Sequence, residues 1–529
     1  MLAVVSSHAP VGFDGEMVSV EVDIRRGLPG VDLVGLPDNA VRESRERVRV
    51  AIRNSAFGFP VDRILVSLAP AAIRKEGASF DLPIALGILA ASGQVGPMPA
   101  GRIMVVGELT LSGAVRPVRG ALSAVAAGLA AGIGDFMVPA ENVEEARVLG
   151  AGRIHGIRSL GEAARLYTRI AAGEEVPQSE EPSAGGSATG GSAAGHRAGP
   201  GDEPPFEDLA DIRGHDRLKR ALEIAAAGRH HLLLFGPPGS GKTMAARRLP
   251  GLLPALERGE ALEVTRLHSL AGVLAPGTGL VRRPPVRMPH HSASTEGILG
   301  GGRIPRPGEA SLAHHGILFL DEAPEFGSML LQGLREPVEE GQVTIARAGS
   351  TVTWPARFQL VLAFNPCPCG NLGRANRVCA CSPVEIHRYW RRMGGALLDR
   401  VELRVPVEPV NAASMCEAAP RDLGRRIATR VEEAAAVQRH RHAGRGFTWN
   451  ARIPAGLVDE ICPIDEPGRR ALLDAAERLG ISSRAFHAVL RIARTIADLD
   501  GMPSIHERHL LEAVEHRRYG DGDFRWIRE

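Results

Sequence analysis

The sequence predicts an α/β protein built on a doubly wound parallel sheet, with another α/β domain before that sheet and a helical domain after it. Three observations predict it. The apolar run 231–235 leads straight into GPPGSGKT, residues 236–243, which reads as a strand, a glycine-rich turn and the start of a helix. Two further short apolar runs, Ile317–Leu320 and 358–364, end on polar residues, and runs of this kind suit parallel strands buried on both faces. The stretch 409–529 is rich in Ala, Arg, Glu and Leu, with helical periods at 468–479 and Ser483–Leu499.

Each part can be justified in chain order. A chain of 529 residues exceeds what one hydrophobic core supports, and three or four domains are expected at roughly 150 residues each. Residues 1–173 mix strand-like runs (18–24, 64–68, 103–106) with helix-like ones (39–55, 80–91), as in a compact α/β domain. Residues 174–205 are Gly, Ser, Ala, Pro and Glu without apolar period. Such a composition cannot bury enough apolar surface to offset ordering entropy, so it predicts a flexible Gly/Ser/Pro linker. Residues 206–408 open with a mostly helical stretch, 208–228, and hold the three apolar runs; 409–529 are the helical domain.

Bulk properties exclude several classes. No apolar run approaches the roughly 20 residues that cross a bilayer. The N-terminus has no basic region ahead of an apolar stretch and carries Asp14 and Glu16 early, so a cytoplasmic protein without membrane contact is expected. Net charge is only +2, which demands no polyanionic partner, and 4% aromatic content argues against stacking platforms for single-stranded bases. The only lysines are Lys75, Lys219 and Lys242. A sequence that otherwise uses arginine keeps a compact point charge inside its glycine-rich turn.

That turn matches the full phosphate-loop pattern. Across Gly236, Pro237, Pro238, Gly239, Ser240 and Gly241 the glycines let backbone N–H groups turn toward phosphate oxygens, Lys242 reaches the β and γ phosphates, and Thr243 holds Mg2+. In GILFLDE, Asp321 orients the magnesium hydration shell and Glu322 polarises the attacking water, so ATP and Mg2+ are the expected cofactors. Asn365, closing FQLVLAFN, has two readings: a bond to the γ-phosphate or the lytic water, or a turn residue before Pro366.

Four of the 6 cysteines, Cys367, Cys369, Cys379 and Cys381, fall in CPCG…CAC. In a reducing compartment four thiolates suit tetrahedral Zn2+, although C-x-C is rarer than C-x2-C, and four reduced structural thiols remain the other reading. Cys416 and Cys462 stand alone and read as packing residues. The pairs His230-His231, His290-His291 and His314-His315 lack carboxylates at ligand spacing and read as structural.

With these motifs in place the chain resembles the bacterial magnesium-chelatase-like AAA+ ATPases of the YifB/ComM family. The likeness is carried by HLLLFGPPGSGKTMAARRLPGLLP, RPGEASLAHHGILFLDEAPEF, LREPVEEGQVTIARA, PARFQLVLAFNPCPCG and ALLDRVEL, and nearer the N-terminus by GLPGVDLVGLPDNAVRESRERVR and KEGASFDLPIALGILAASG. The resemblance implies an AAA+ P-loop core (206–408), a helical lid of the magnesium-chelatase C-terminal type (409–529) and a Lon-protease-like domain (1–173). It implies that Arg400, in LLDR, is an arginine finger directed at a neighbouring subunit's nucleotide and that Arg484 is the second sensor on the lid. A finger in trans implies a homo-oligomer, in this family a hexamer. KEGAS puts Ser79 at the serine of the Lon dyad, but the lysine region reads PVRGALSAVAAG, and a serine nucleophile needs a base, so an active protease is not expected.

What the motor would act on is less written. Residues 278–311 are rich in Gly, Pro and Arg, with Arg282, Arg283, Arg287, Arg303 and Arg306, and VTIARAGSTVTWPARF reads as a hairpin with Arg347 near its turn. In helicase relatives, insertions at such places face the ring's channel, so Arg303, Arg306 and Arg347 are expected to contact DNA phosphates without sequence preference. The resemblance implies a helicase or translocase on single-stranded or branched DNA, promoting branch migration during natural transformation, with recombination proteins as candidate partners. The alternative is a remodelling ATPase acting on a protein partner, like the magnesium-chelatase motor subunit.

Overall fold

A computed structural model describes residues 2–96, 101–174, 176, 208–302, 305–347, 350–374, 377–409 and 422–519. The expected linker lies outside the described residues except for Glu174 and Val176. Contacts divide the chain into two compact units, one of Met1–Glu203 with Arg258–Val281 and one of Pro204–Glu257 with Arg282–Glu529.

The first unit is a mixed sheet under helices. From edge to edge its strands are Gly30–Val34, Arg63–Ala69, Glu16–Arg25, Leu2–Ala9, Ile103–Val105, Asp135–Pro139 and Arg153–Ile157. The three pairings from Leu2–Ala9 onward are parallel, while Glu16–Arg25 is antiparallel to both its neighbours. Helix Asn39–Asn54 starts where the Asp38 carboxylate accepts from Val41 N, and it buries Val41, Ser44, Val48, Ala51 and Ile52, one stripe at helical spacing. Helix Asp81–Ala91 is apolar all round and buried all round, as such a helix must be. Helix Arg258–Ala271, which the sequence places in the span 206–408, packs in this unit on helix Ala121–Ala130: Ser269 Oγ accepts from Gly120 N at 3.1 Å and Ser123 Oγ from Arg266 Nε at 3.0 Å.

The second unit holds a five-stranded sheet in the order Val286–Arg287, Ile317–Leu320, Gln359–Phe364, Leu232–Phe235, Leu403–Pro406, every pairing parallel. The strands ILFL, QLVLAF and LLLF are buried at every residue, which is why they are apolar runs and not alternating ones; the one polar residue, Gln359, donates from its amide to Ala225 O and His230 O. Register fixes the site. Phe235 lies opposite Phe364 and Leu320 opposite Leu362, so the phosphate loop, the acidic pair and Asn365 all leave the same, C-terminal edge. Trp390 braces this edge, packing edge-on to Phe364 and Phe235 while its indole N–H donates to Pro366 O. Helices Leu423–His442, Glu466–Leu479, Ser483–Leu499 and Glu507–Arg517 complete the unit, together with an antiparallel hairpin, Gln342–Arg347 with Ser350–Pro355.

Candidate nucleotide site

The phosphate loop is shaped by contacts that exclude side chains. A Cβ on Gly236 would stand 2.1 Å from Val407 O, whereas one on Gly239 would meet nothing within 4 Å, so the loop is pinned at its start and open at its crown. Gly239 (φ 81) and Gly241 (φ 93) use the left-handed region that glycine enters without steric cost. Lys242 Nζ donates to Gly236 O (2.7 Å), Pro237 O (2.9 Å) and Asn365 Oδ1 (3.2 Å). Burial pushes its ammonium down to about 8; Asp321 opposes that shift and Arg374 adds to it. Among the described residues Ser240 Oγ is buried without a partner. A buried cation held by neutral carbonyls and an unsatisfied hydroxyl beside a turn open at Gly239 fit a phosphate group.

Thr243 Oγ1 donates to Asp321 Oδ2 at 2.6 Å, bringing together the two residues expected to hold Mg2+. A hydroxyl and a carboxylate in contact are the hard oxygen donors that ion prefers. Glu322 follows in the left-handed region (φ 51, ψ 42), its N–H donating to Asp321 Oδ1 at 2.9 Å, and strain of this kind in a non-glycine residue aims its exposed carboxylate away from the strand. His291, left among the structural histidines by its sequence context, stands with Nδ1 3.3 Å from Glu322 Oε2.

The four cysteines converge. Cys367 and Cys369 Sγ are 3.5 Å apart, Cys369 and Cys379 3.7 Å, Cys379 and Cys367 3.6 Å, and all four sulfurs lie within 4.8 Å of one another. A tetrahedron with metal–sulfur bonds of about 2.3 Å has edges of about 3.8 Å, so these thiols fit one metal ion. Cys462 is buried and apart from them; Cys416 lies outside the described residues.

Arg400 and Arg484 are brought together elsewhere. Both pair with the carboxylate of Glu339, Arg484 at 2.8 Å, and Arg484 also reaches Asp399 at 3.6 Å. The Arg400 guanidinium first, with Arg484 helping, holds the Glu339 carboxyl below its usual range. They line a polar cavity with Glu339, Glu402, Arg452 and Arg491, to which His231 also contributes. His231 and Glu402 immediately precede the strands Leu232–Phe235 and Leu403–Pro406, so this cavity sits at the N-terminal edge of the sheet, the edge opposite the phosphate loop. His230 ties the same edge to the helices, bonding Glu402 Oε2 (2.5 Å) and Thr495 Oγ1 (2.8 Å).

Of the arginines expected on DNA, Arg303 lies outside the described residues. Arg306 is exposed on a short hairpin with Gly300–Gly301, and Arg347 is exposed at the turn of its hairpin, bonded to Glu296 at 2.8 Å. Arg287 forms a two-pronged pair with Glu309 (2.5 and 2.8 Å), so its charge is already met. In the first unit, Lys75 Nζ donates to Pro70 O, and Gly120, in the stretch where the sequence seeks a dyad lysine, is bonded to Ser269.

The chain is similar to known proteins over nearly its whole length. The family description "Magnesium chelatase, subunit ChlI" matches residues 208–415, "Subunit ChlI of Mg-chelatase" matches 20–142, and "Magnesium chelatase, subunit ChlI C-terminal" matches 423–517. The YifB protein of Salmonella typhimurium is 41% identical over 519 residues, covering 98% of this chain and 97% of that protein. The competence protein ComM of Haemophilus influenzae is 38% identical over 520 residues, with the same coverage of 98% and 97%. The magnesium-chelatase 38 kDa subunit of Rhodobacter capsulatus is 28% identical over 356 residues, or 59% of this chain and 88% of that protein.

Proposed function

The chain belongs to the magnesium-chelatase-like YifB/ComM family, and from that premise we propose that it is an AAA+ ATPase working as a ring, and that the ring translocates on DNA. One observation carries the ring. The phosphate loop, Asp321, Glu322 and Asn365 stand at one edge of the sheet, and Arg400 with Arg484 at the other, separated by the strand Leu232–Phe235, about 10 Å long at 3.3 Å per residue. A chain with the two halves of an ATPase site on opposite edges completes that site only by meeting a second copy. Mg2+ would be held by Thr243 and Asp321 and neutralise phosphate charge; Lys242 would bind the phosphates, Glu322 take the proton of the attacking water, and Asn365, already on Lys242 Nζ, hold that water or the γ-phosphate in line. A hexamer in the cytoplasm follows from the family resemblance, and we take the thiol cluster as a structural Zn2+ site.

The DNA reading rests on kinship to a protein named for competence and on two exposed arginine-bearing hairpins beside one another. Among the described residues Arg347 is paired only through a solvent-exposed bridge to Glu296, and exposed bridges are worth about 0–1 kcal/mol, so phosphate can displace the carboxylate. Branch migration in natural transformation is the activity we assign, with recombination proteins as partners. Kinship to a magnesium-chelatase subunit supports the other reading, a motor that remodels a protein partner. We read the N-terminal domain as Lon-like without being a protease, since within residues 1–173 the only lysine is Lys75, itself bonded to Pro70 O. The test is ATP hydrolysis with and without forked DNA at low salt. Stimulation that fades with salt and weakens in Arg347→Ala is expected; no stimulation by any DNA would sink the DNA reading and leave the protein-remodelling one.

A further inference from the structure

The loop that carries the thiols also carries a cation to the phosphate loop. The described residues of this loop, 366–374 and 377–381, hold no helix or strand, so backbone ladders do not fix their shape; the internal ties include Cys367 O accepting from Gly370 N (3.1 Å), Asn371 O from Arg374 N (3.1 Å) and Cys367 Sγ from Leu372 N (3.4 Å). Yet the loop lies against Pro237 and Pro238. Gly370, in the left-handed region (φ 72), comes so near that a Cβ there would stand 2.9 Å from Pro238 Cγ, and a Cβ on Gly373 would be 3.9 Å from Pro237 Cδ. Arg374 then donates to Pro238 O at 3.2 Å.

Among the described residues that is the one hydrogen bond of the Arg374 side chain, and no carboxylate pairs with it. A guanidinium has five N–H donors, and this one is close enough to press on the Lys242 ammonium. Two cations beside a turn that is open at Gly239 are relieved by an anion with several oxygens, and guanidinium binds phosphate in a two-pronged geometry that ammonium cannot offer. We propose that the loop carrying Cys367, Cys369, Arg374, Cys379 and Cys381 is a metal-braced arm of the nucleotide site, in which the four-thiolate centre holds Arg374 in place to bind the terminal phosphates of a nucleoside triphosphate. The proposal rests on the nucleotide reading above and adds to it a phosphate ligand and the device that positions it.

The experiment is binding of a fluorescent ATP analogue to the full chain, as purified without chelator and after metal removal under reductant, with zinc measured in both. Arg374→Ala should lose about tenfold in affinity, the scale of hydrogen bonds to a charged group, and Arg374→Lys should recover part of it. Stripping the metal should cost wild type a similar factor but add little to Arg374→Ala, because both changes remove the same contact. Cys369→Ser, at an exposed thiol, gives a second route to the metal-poor state should chelation unfold the chain. Unchanged affinity in Arg374→Ala, no bound metal in the purified protein, or losses that simply add would each overturn the proposal. Lys242→Ala separates the two readings: if it too binds normally, the nucleotide site itself has been misplaced.

Discussion

Lys242 works in surroundings that disfavour its charge. Buried and bonded to two carbonyls and Asn365, its ammonium titrates near 8 without nucleotide, against about 10.4 for a free lysine. A triphosphate restores the missing counter-charge and raises that value again. The linkage sign follows: binding takes up a proton between the two pKa values, so affinity is flat below pH 8 and falls by up to about tenfold per unit above it. Calorimetry at pH 9 in buffers of different ionisation enthalpy should show close to one proton taken up, and at pH 7 almost none. Glu322 is an exposed carboxylate on a left-handed backbone, with His291 Nδ1 3.3 Å away. Glu322→Gln should keep nucleotide affinity and lose hydrolysis by roughly 10^2 to 10^4, the usual scale for a general base. Normal turnover by that variant, measured as phosphate release, would remove Glu322 from the chemistry.

At the scale of elements, what the sequence made legible was what burial writes into it. The strands Leu232–Phe235, Ile317–Leu320 and Gln359–Phe364 are fully buried, hence apolar apart from Gln359, and each leads directly into a residue the site needs, Gly236, Asp321 and Asn365. The expected hairpin is present at Gln342–Arg347 and Ser350–Pro355, and helix Ser483–Leu499 has the bounds its period marks. Tertiary placement was not legible. Nothing in REPVEE distinguishes Glu339, which gathers Arg400 and Arg484, from Glu336 and Glu340 of the same charged helix. Arg374 sits in an irregular loop and His291 in a pair without partner spacing, so neither had a period or motif to betray it. Helix Arg258–Ala271 reads as part of the nucleotide unit by position in the chain, yet Ser269 and Arg266 bond it to Gly120 and Ser123 of the first unit, a pairing between distant segments that local pattern does not encode.

On the scale of the whole molecule, the decisive feature is that one sheet carries the phosphate loop at one edge and an arginine pair at the other. Lys242→Ala and Arg400→Ala should each be inactive alone, yet mixing them equally should leave about a quarter of head-to-tail interfaces with an intact loop facing an intact arginine. Partial recovery of ATP hydrolysis on mixing is therefore expected, and none in any ratio would argue against a ring. The position of Arg484 makes a sharper demand. Because Glu339 binds it together with Arg400, both should serve the neighbour's nucleotide, so Arg484→Ala should be rescued by Lys242→Ala but not by Arg400→Ala. If Arg484 instead served its own chain's nucleotide, mixing Arg484→Ala with Arg400→Ala would assemble interfaces combining an intact loop, its own sensor and an intact finger, and activity would return. The pairwise pattern of rescue thus reads out which edge of the sheet Arg484 works from, without requiring any knowledge of the substrate being moved.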